Sequence, residues 1–203
     1  MKKLILLLSI VSLISCKEEP KKTEENIEQN EPTSQQPIET ESINQNYGNQ
    51  IIPGKRLGAI ILNENATAVL DSLGKPDSGD AAMGKAVSTW YEGSKNLLSI
   101  YTTTKMGVED FSRIKAIRSL SPDFKTEQGF GVNSTLSEIG KNFKLNKIGV
   151  FLFEGKNYTL FSSDEGISFE VGEDQKCHGI VITEKGTSPA QFYLTFYPGL
   201  VKQ

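Results

Sequence analysis

From residue 85 onward, apolar and polar positions alternate in short runs that turn residues separate. Alternation with a period of two is typical of strands that bury one face. The pattern predicts strands at Ser88–Glu92, Leu97–Thr103, Arg113–Leu120, Gly149–Phe153, Tyr158–Ser162, Ile167–Val171 and Gly179–Thr183. A last run, residues 191–197, places Phe192, Leu194 and Phe196 on one side, and we expect it to close the sheet.

Two segments instead have apolar residues three and four positions apart, which is the spacing of one helix face. The apolar positions of the first are Ala66, Val69, Leu70 and Leu73, and those of the second are Leu136, Ile139 and Phe143. Asn63 or Asn65 is the expected N-cap of the first helix, and Gly74 is expected to end it. Asn133 or Ser134 is the expected N-cap of the second helix.

The two halves of this region have related patterns. A shift of 70 residues aligns the two helical segments, and a shift of 63 aligns the strands that contain Ile114 and Cys177. We therefore interpret residues 58–120 and 128–184 as two copies of one unit. Helices followed by meandering strands predict an α+β fold, in which two tandem helix-then-strand repeats form an antiparallel sheet with the helices packed on one face.

The segment from Gly58 to Pro76, with Gly-Lys-Pro after its helix, resembles the helix signature of small bacterial envelope domains, and the segment from Phe124 to Thr135 is similar. The resemblance is to the β-lactamase-inhibitor-protein-like fold and to SmpA/OmlA-type lipoproteins, and it covers most of residues 58–184. It implies short helices on an antiparallel sheet whose open face or edge binds another protein.

The N-terminus has the parts of a secretory signal peptide: two lysines, an eleven-residue apolar stretch and a small residue before Cys16. The apolar stretch is too short to span a bilayer, which takes about 20 residues. Leu13-Ile14-Ser15-Cys16 resembles a bacterial lipobox, which implies cleavage after residue 15 and acylation of Cys16, for example with palmitate. The alternative is an ordinary signal peptide with a chance cysteine. Lys17, where an Asp would retain a lipoprotein in the inner membrane, implies the outer membrane, at its periplasmic face or at the cell surface.

The next segment, residues 16–50, is polar and acidic, with eight Glu and three Lys after the cysteine. Such a composition cannot bury enough apolar surface to offset its ordering entropy, so we expect a disordered tether. As a flexible chain it would span roughly 30–35 Å. The remaining residues, 51–203, form the predicted folded domain.

The charge balance excludes some classes of function. The chain has a net charge of −3, and residues 51–203 contain 17 basic and 17 acidic residues. Nucleic-acid binding needs concentrated positive charge, so we expect no nucleic-acid partner. With one His and two Cys in the chain we expect no metal and no cofactor.

Two short motifs are candidate catalytic sites. Cys177 and His178 adjoin, but neighbours in a strand point to opposite faces, so we interpret the cysteine as a buried core residue and the histidine as exposed. Asp164 and Glu165 precede Gly166 and are interpreted as a hairpin turn rather than as an acid–base pair. No catalytic residue is assigned.

The aromatic residues of the strands are the candidates for binding. Trp and Tyr contribute a large share of the binding energy at protein interfaces. Trp90 or Tyr91, with Tyr101 and Tyr158, would form an exposed aromatic patch. The alternative is that these residues fill the core and the sheet edges, as aromatic residues in strands commonly do.

The sequence therefore predicts a membrane-anchored, non-enzymatic lipoprotein that acts as a protein-binding or assembly module in the bacterial envelope. Its partners would be the membrane, through Cys16, and an envelope protein. An extracytoplasmic carrier or sensor for a small apolar ligand is the alternative, followed by a carboxylate-dependent hydrolase of envelope polymers.

Overall fold

A computed structural model of the chain describes residues 48–203. The predicted signal peptide, Cys16 and all but the end of the predicted tether lie outside the described residues. Within residues 48–203, no helix combines the length and the apolar character needed to cross a bilayer.

The described residues form thirteen β-strands, two short α-helices and one 3₁₀ turn. The first seven strands are β1 (Gln50–Ile52), β2 (Arg56–Leu57), β3 (Ile60–Ile61), β4 (Ser78–Ala82), β5 (Lys85–Trp90), β6 (Leu98–Thr103) and β7 (Arg113–Ser119). The others are β8 (Lys125–Thr126), β9 (Asn146–Phe153), β10 (Lys156–Ser163), β11 (Ile167–Gly172), β12 (Cys177–Thr183) and β13 (Val201–Lys202). The helices are α1 (Thr67–Leu73) and α2 (Leu136–Ile139), and the 3₁₀ turn is Pro189–Gln191.

The strands form one large and one small sheet. The large sheet has nine strands in the order β13-β9-β10-β11-β12-β7-β6-β5-β4, and all its neighbours are antiparallel. It consists of two four-stranded meanders, β4–β7 and β9–β12, which join where β7 pairs with β12. The small sheet has the order β3-β2-β1-β8, and its only parallel pair among the described strands is β1 with β8.

The predicted α+β fold with helices packed on a sheet is wrong, because the protein is mostly β. The helices α1 and α2 have only seven and four residues, and α1 contains no buried residue. Both segments have the expected apolar spacing, and Gly74 ends α1 as predicted, but α2 already ends before Gly140 and does not include Phe143. Between them the two helices bury one residue, Ile139, so they do not form a layer.

The cap of each helix also differs from the prediction. The N-cap of α1 is Ala66, and the Asn65 side chain accepts a hydrogen bond of 2.9 Å from the Thr67 N–H. Thr135 caps α2 in a capping box with Glu138.

The closing strand predicted at residues 191–197 is also wrong. This stretch begins in the 3₁₀ turn and continues without strand pairing. Its apolar residues alternate because one side of the segment packs on the sheet, where Phe192, Leu194 and Phe196 are partly buried. The strand that closes this edge is β13, which pairs with β9.

The large sheet is covered on both faces. One face packs against β1–β3 and the loops around the helices, through a core that includes Leu57, Ile117, Phe169 and Ile180. The other face is crossed by residues 188–200, which we call the strap. The strap packs on Tyr101, Phe151 and other residues of that face. The open sheet face suggested by the sequence is therefore largely occupied by the chain itself.

The same local geometry leads into both meanders. The N–H of Asn63 donates to the carbonyl of Ile114, and the N–H of Asn133 donates to the carbonyl of Cys177, each over 2.7 Å. Both asparagines have a positive φ, of 66° and 75°, a conformation that Asn tolerates better than most residues. The two loops thus attach to the sheet in the same way.

The same irregularity also lies inside both meanders. The pairing of β6 with β7 shifts register after Tyr101, and the pairing of β11 with β12 shifts register after Glu170. Tyr101 and Glu170 therefore occupy corresponding positions. A β-bulge turns the strand at this point in each half.

Candidate functional site

The predicted aromatic patch does not form as one surface. Trp90 is buried, and its indole N–H donates to the carbonyl of Gly74 over 3.0 Å. Tyr101 is buried on the opposite sheet face, where it stacks on Phe192 of the strap with ring centroids 4.5 Å apart. Alternation places the two rings on different faces, and the chain covers both.

The other two predicted residues are separated as well. Tyr91 is exposed at the end of β5. Tyr158 is half-buried on the strap side of the sheet, where its ring stacks on Phe151 with centroids 5.7 Å apart. Burial, followed by the negative charges of Glu154 and other nearby carboxylates, raises the pKa of the Tyr158 hydroxyl.

Cys177 and His178 lie on opposite faces of the sheet, as the sequence predicts. The Cys177 thiol is buried and donates to the carbonyl of Gly179, and burial raises its pKa. A thiol in that state is a poor nucleophile. The His178 ring contacts Tyr158 and lies 2.9 Å from Asp174.

The acidic candidates do not build an acid–base or metal centre. Asp164 and Glu165 lie in the turn between β10 and β11, as predicted. Across residues 48–203 there is no group of three or more His, Cys, Asp or Glu side chains arranged to hold a metal ion.

A buried ionic cluster lies between the sheet and the strap. Arg118 on β7 donates two hydrogen bonds to the Glu170 carboxylate, of 2.6 and 2.9 Å, and the Tyr197 hydroxyl donates a third, of 2.8 Å. The Arg118 guanidinium also lies 4.6 Å from the ring centre of Phe153. Burial works against the charge of Arg118, but Glu170 outweighs it and raises the arginine pKa. Burial and the Glu170 charge raise the pKa of Tyr197. These groups satisfy one another and are closed to solvent, so we interpret the cluster as structural.

The exposed apolar side chains identify a different surface. Large hydrophobic residues are exposed at Met83, Tyr91, Met106, Val108, Leu152, Tyr193 and Val201. Two of them, Met106 and Val108, lie in the loop between β6 and β7, and Met83 lies in the turn between β4 and β5, at the same end of the sheet. Their exposed fractions are 73%, 79% and 75%. We call these three residues and Tyr193 the apolar tip.

Contacts join the turn that carries Met83 to the loop that carries Met106 and, through Lys85, to Tyr193. A Cβ on Gly84 would lie 3.1 Å from Cγ of Met106, so the methionine side chain rests on the turn that carries Met83. The N–H of Thr104 donates to the carbonyl of Gly84 over 2.6 Å, which joins the loop to the turn. Lys85, the next residue, places its ammonium 5.5 Å from the ring centre of Tyr193.

Met83 occupies an unusual backbone position. It and Gly84 have φ of 52° and 70°, as both central residues of a type I′ turn require. Asn, Asp and Gly are the usual residues at the first of these positions, because the left-handed conformation costs most other residues roughly 1–2 kcal/mol. The chain therefore keeps an exposed methionine where a polar residue would fold better.

The charges around the apolar tip balance. Residues 78–85 and 104–113 contain three basic residues, Lys85, Lys105 and Arg113, and three acidic residues, Asp80, Glu109 and Asp110. Glu109 accepts a hydrogen bond of 2.6 Å from Arg113. This hydrogen bond lowers the pKa of Glu109. An apolar surface without excess positive charge lacks the feature that draws loops to anionic lipid headgroups.

A groove with a volume of about 320 Å³ lies beside β1. Its floor includes Ile51, Pro53 and Phe143, and its rim carries polar and charged side chains, namely Gln50, Glu127, Gln128, Asn142, Glu165 and Lys185. A small apolar ligand would meet mainly polar groups there, so this groove does not favour the carrier alternative.

Comparisons with known proteins identify no family. No protein-family model matches the chain, and no curated protein matches it. One similar solved structure is an extracellular protein containing an SCP domain from Bacillus anthracis str. Ames, with a TM-score of 0.40 and 11% identity over 62% of this chain and 44% of that one. Another is a cysteine-rich secretory protein from Staphylococcus aureus subsp. aureus Mu50, with a TM-score of 0.39 and 16% identity over 66% of this chain and 48% of that one.

The chain spans less than half the length of either of these structures, and similarity of this degree assigns neither a fold family nor an activity. The resemblance to the β-lactamase-inhibitor-protein-like and SmpA/OmlA-type domains stays a prediction, without the helical layer that it implied.

Aromatic residues in strands do not indicate the apolar tip, because Met83, Met106 and Val108 lie in a turn and a loop. A signal was present in the turn: Met83 directly precedes Gly84 between two alternating runs, at a position where Asn or Asp is usual. Nothing in the spacing of Met106 and Val108 indicates that their loop meets this turn, since the contact depends on the pairing of β5 with β6.

Proposed function

We propose that the protein is a membrane-anchored, non-enzymatic binding module of the bacterial envelope that holds another envelope protein through its apolar tip. The leader and Cys16 support the anchor, and the polar segment before residue 51 supports a tether that places the domain away from the bilayer. The finer location, the outer membrane at its periplasmic face or at the cell surface, rests on Lys17 and is part of the same proposal.

One observation carries the binding role: Met83 is three-quarters exposed in a backbone conformation that disfavours it, beside two more exposed apolar side chains. Backbone strain and clustered apolar exposure both tend to occur at binding sites, and their combination here supports a binding role for the apolar tip. Methionine is common on protein-binding surfaces because its flexible side chain adapts to its partner. We therefore propose a partner with an apolar groove.

The test is photocrosslinking in intact cells with the full chain, carrying a photoreactive amino acid in place of Met83. The matched control carries it in place of Glu154, the corresponding residue of the turn between β9 and β10, whose φ values of 48° and 74° at Glu154 and Gly155 repeat those of the first turn. We expect one protein to be crosslinked from position 83 and not from position 154.

A second variant links the crosslink to the apolar surface itself. Replacing both Met106→Ser and Val108→Ser removes the neighbouring apolar groups from a loop that is exposed to solvent. Loss of binding energy at hot spots of this kind is commonly tenfold or more in affinity, so we expect the crosslinked product to fall by that order. Equal capture from positions 83 and 154 would overturn the proposal, and so would crosslinks to lipid alone, which would identify a membrane contact instead.

A further inference from the structure

The two outer edges of the large sheet differ in one respect. The edge at β9 is covered by the chain's own strand β13, in which Val201 pairs with Val150 and Lys202 pairs with Gly149. The N–H of Gln203 continues this pairing by donating to the carbonyl of Ile148 over 3.1 Å. The edge at β4 is the last strand of the sheet on its side, and no strand of residues 48–203 pairs with its outer side.

The residues of the two edges correspond through the ladder of pairs. Asp80 on β4 pairs with Val87 on β5, which pairs with Tyr101 on β6. Gly149 on β9 pairs with Leu160 on β10, which pairs with Glu170 on β11. Since Tyr101 and Glu170 are at the same position before a β-bulge, Asp80 corresponds to Gly149. A strand that bound to β4 as β13 binds to β9 would therefore place its lysine position opposite Asp80.

The β4 edge has no Lys, no Pro and no bulge to keep another strand from pairing, and its one charged side chain is Asp80. Natural edges are protected by Lys, by Pro or by a bulge, and Ser78–Ala82 reads Ser-Gly-Asp-Ala-Ala with an unbroken register against β5. Its residues are exposed or partly exposed, and every side chain except that of Asp80 is small. A second backbone can approach such a strand closely, with room for bulky side chains beside Gly79 and Ala81.

We propose that the outer edge of β4 accepts an extended segment of the partner protein as an added antiparallel strand, with a basic residue opposite Asp80 and bulky apolar residues opposite Gly79 and Ala81. Main-chain hydrogen bonds supply affinity in this mode of recognition, and alternate side chains supply specificity. The inference deepens the proposed function and rests on it, since β4 ends at Ala82 beside Met83 and the added strand would run to the apolar tip.

The charge of Asp80 distinguishes this occupant from two others. A second copy of the chain, paired symmetrically about this residue, would bring two Asp80 carboxylates together across the interface, and like charges opposite each other in a sheet repel. The chain's own residues 17–50 carry eight Glu against three Lys, so they would bring mostly the same sign of charge. A basic segment of another protein is the occupant that this edge favours.

The experiment is a charge swap measured by fluorescence anisotropy on the full chain. The probe is a fluorescein-labelled peptide, Thr-Val-Thr-Val-Lys-Val-Thr-Val-Thr, and its counterpart has Glu in place of Lys. We expect the lysine peptide to bind about two- to tenfold more tightly than the glutamate peptide, and Asp80→Lys to reverse this order. Asp123→Lys, an exposed aspartate outside the large sheet, is the matched control and should leave the order unchanged.

Hydrogen exchange locates the bound peptide. The lysine peptide should slow amide exchange in residues 78–82 and leave residues 149–152 unchanged. Equal affinity of the two peptides for the wild-type chain, or unchanged exchange in β4, would overturn the strand site. The strand site would also be overturned if sedimentation showed that the chain forms a dimer, if hydrogen exchange showed that this dimer protects β4, and if Asp80→Lys did not weaken the dimer.

The result also separates the two proposals. If the protein captured from position 83 binds the Asp80→Lys variant as well as it binds the wild-type chain, the apolar tip remains the binding surface and the strand site fails. If no protein is captured from position 83 but the charge swap holds, the proposed function at the apolar tip fails and the strand site remains.

Discussion

The two meanders of the large sheet follow the same plan and differ in what they present. Each meander is preceded by an asparagine with positive φ, and in each the pairing of the third strand with the fourth shifts register at the corresponding position. Each also begins with a hairpin whose two central turn residues have positive φ. The strand plan therefore depends on pairing, turns and bulges, and it tolerates very different side chains between them.

The ends of the two meanders show how far that tolerance extends. The first end carries Met83, Met106 and Val108, three exposed apolar residues. The second carries Glu154 and an Asp174–His178 pair at 2.9 Å. The second end also exposes one large apolar residue, Leu152, but it has one where the first end has three, so the first end is the more apolar of the two.

The corresponding positions before the bulge differ just as strongly. Tyr101 stacks on Phe192, and Glu170 is bound by Arg118 and Tyr197. In both cases the partner includes an aromatic residue of the strap. One half is held to the strap by apolar stacking and the other half by a buried ionic cluster.

The largest expected effect comes from breaking that ionic cluster. Glu170→Ala leaves the buried Arg118 guanidinium without a counter-charge, and removing one partner of a buried pair costs about 3–5 kcal/mol. Urea denaturation of the full chain would measure it. Tyr101→Phe, which removes only a hydroxyl from the corresponding position, should cost far less. A loss below about 1 kcal/mol for Glu170→Ala would contradict the structural role of the cluster.

The pH dependence should come from groups of the same region. The pKa of Tyr197 is raised in the folded chain, by burial first and by Glu170 second. The folded state then binds this proton more tightly than the unfolded state, so the stabilisation is complete below about pH 10 and is lost as the pH rises above that value. Burial gives Cys177 the same sign, with its loss starting near pH 8.5.

Denaturation curves between pH 7 and 11 would measure this loss. The variant Tyr197→Phe should flatten the curve above pH 10, and Cys177→Ala should flatten its start. A stability that rises through this range would contradict both assignments.

A smaller effect tests a hydrogen bond that the two halves share. The hydroxyls of Thr89 and Ser99 are 2.9 Å apart, and those of Ser162 and Ser168 are 2.9 Å apart at the corresponding pairs. Ser168→Ala leaves a buried hydroxyl unpaired and should cost about 1–3 kcal/mol. Ser99→Ala should cost less, because Thr89 is only partly buried and water can replace the partner. Equal losses in thermal unfolding would contradict this difference.

The sequence predicts the strands of the large sheet better than it predicts their environment. Alternation located Leu97–Thr103 and Ile167–Val171 to within one residue of β6 and β11, although both strands bury both rows of their side chains and not one row only. It failed at residues 191–197, where the same alternation belongs to an unpaired segment lying on the sheet. A period of two shows that one side is buried, but it does not show whether the backbone is paired.

The predicted α+β fold class is wrong for a related reason. The apolar spacing near Ala66 and Leu136 is helical, but it does not show that helices of seven and four residues bury only Ile139 between them and form no layer on the sheet. The aromatic patch does not form because exposure depends on what covers a strand: Trp90 and Tyr101 lie under other parts of the chain, while Met83 is exposed in its turn.

The smallest expected effect sharpens the comparison between the two turns. Met83→Asn gives the first turn the Asn-Gly pair that suits positive φ at both central residues, so it should raise the free energy of unfolding by about 0.5–1 kcal/mol. Glu154→Asn makes the same change in the second turn and should raise it by a similar amount. Only the first substitution should also weaken the crosslinked complex, since only Met83 is an exposed apolar residue. Thermal unfolding measures the change in stability of both variants, and crosslinking measures whether each variant still binds the partner. If Met83→Asn destabilises the domain, the methionine supports the fold and its exposure is no sign of binding. If Met83→Asn stabilises the domain and binding is lost, Met83 lowers the stability of the first turn and is needed for binding, whereas Glu154 has no such role in the second turn.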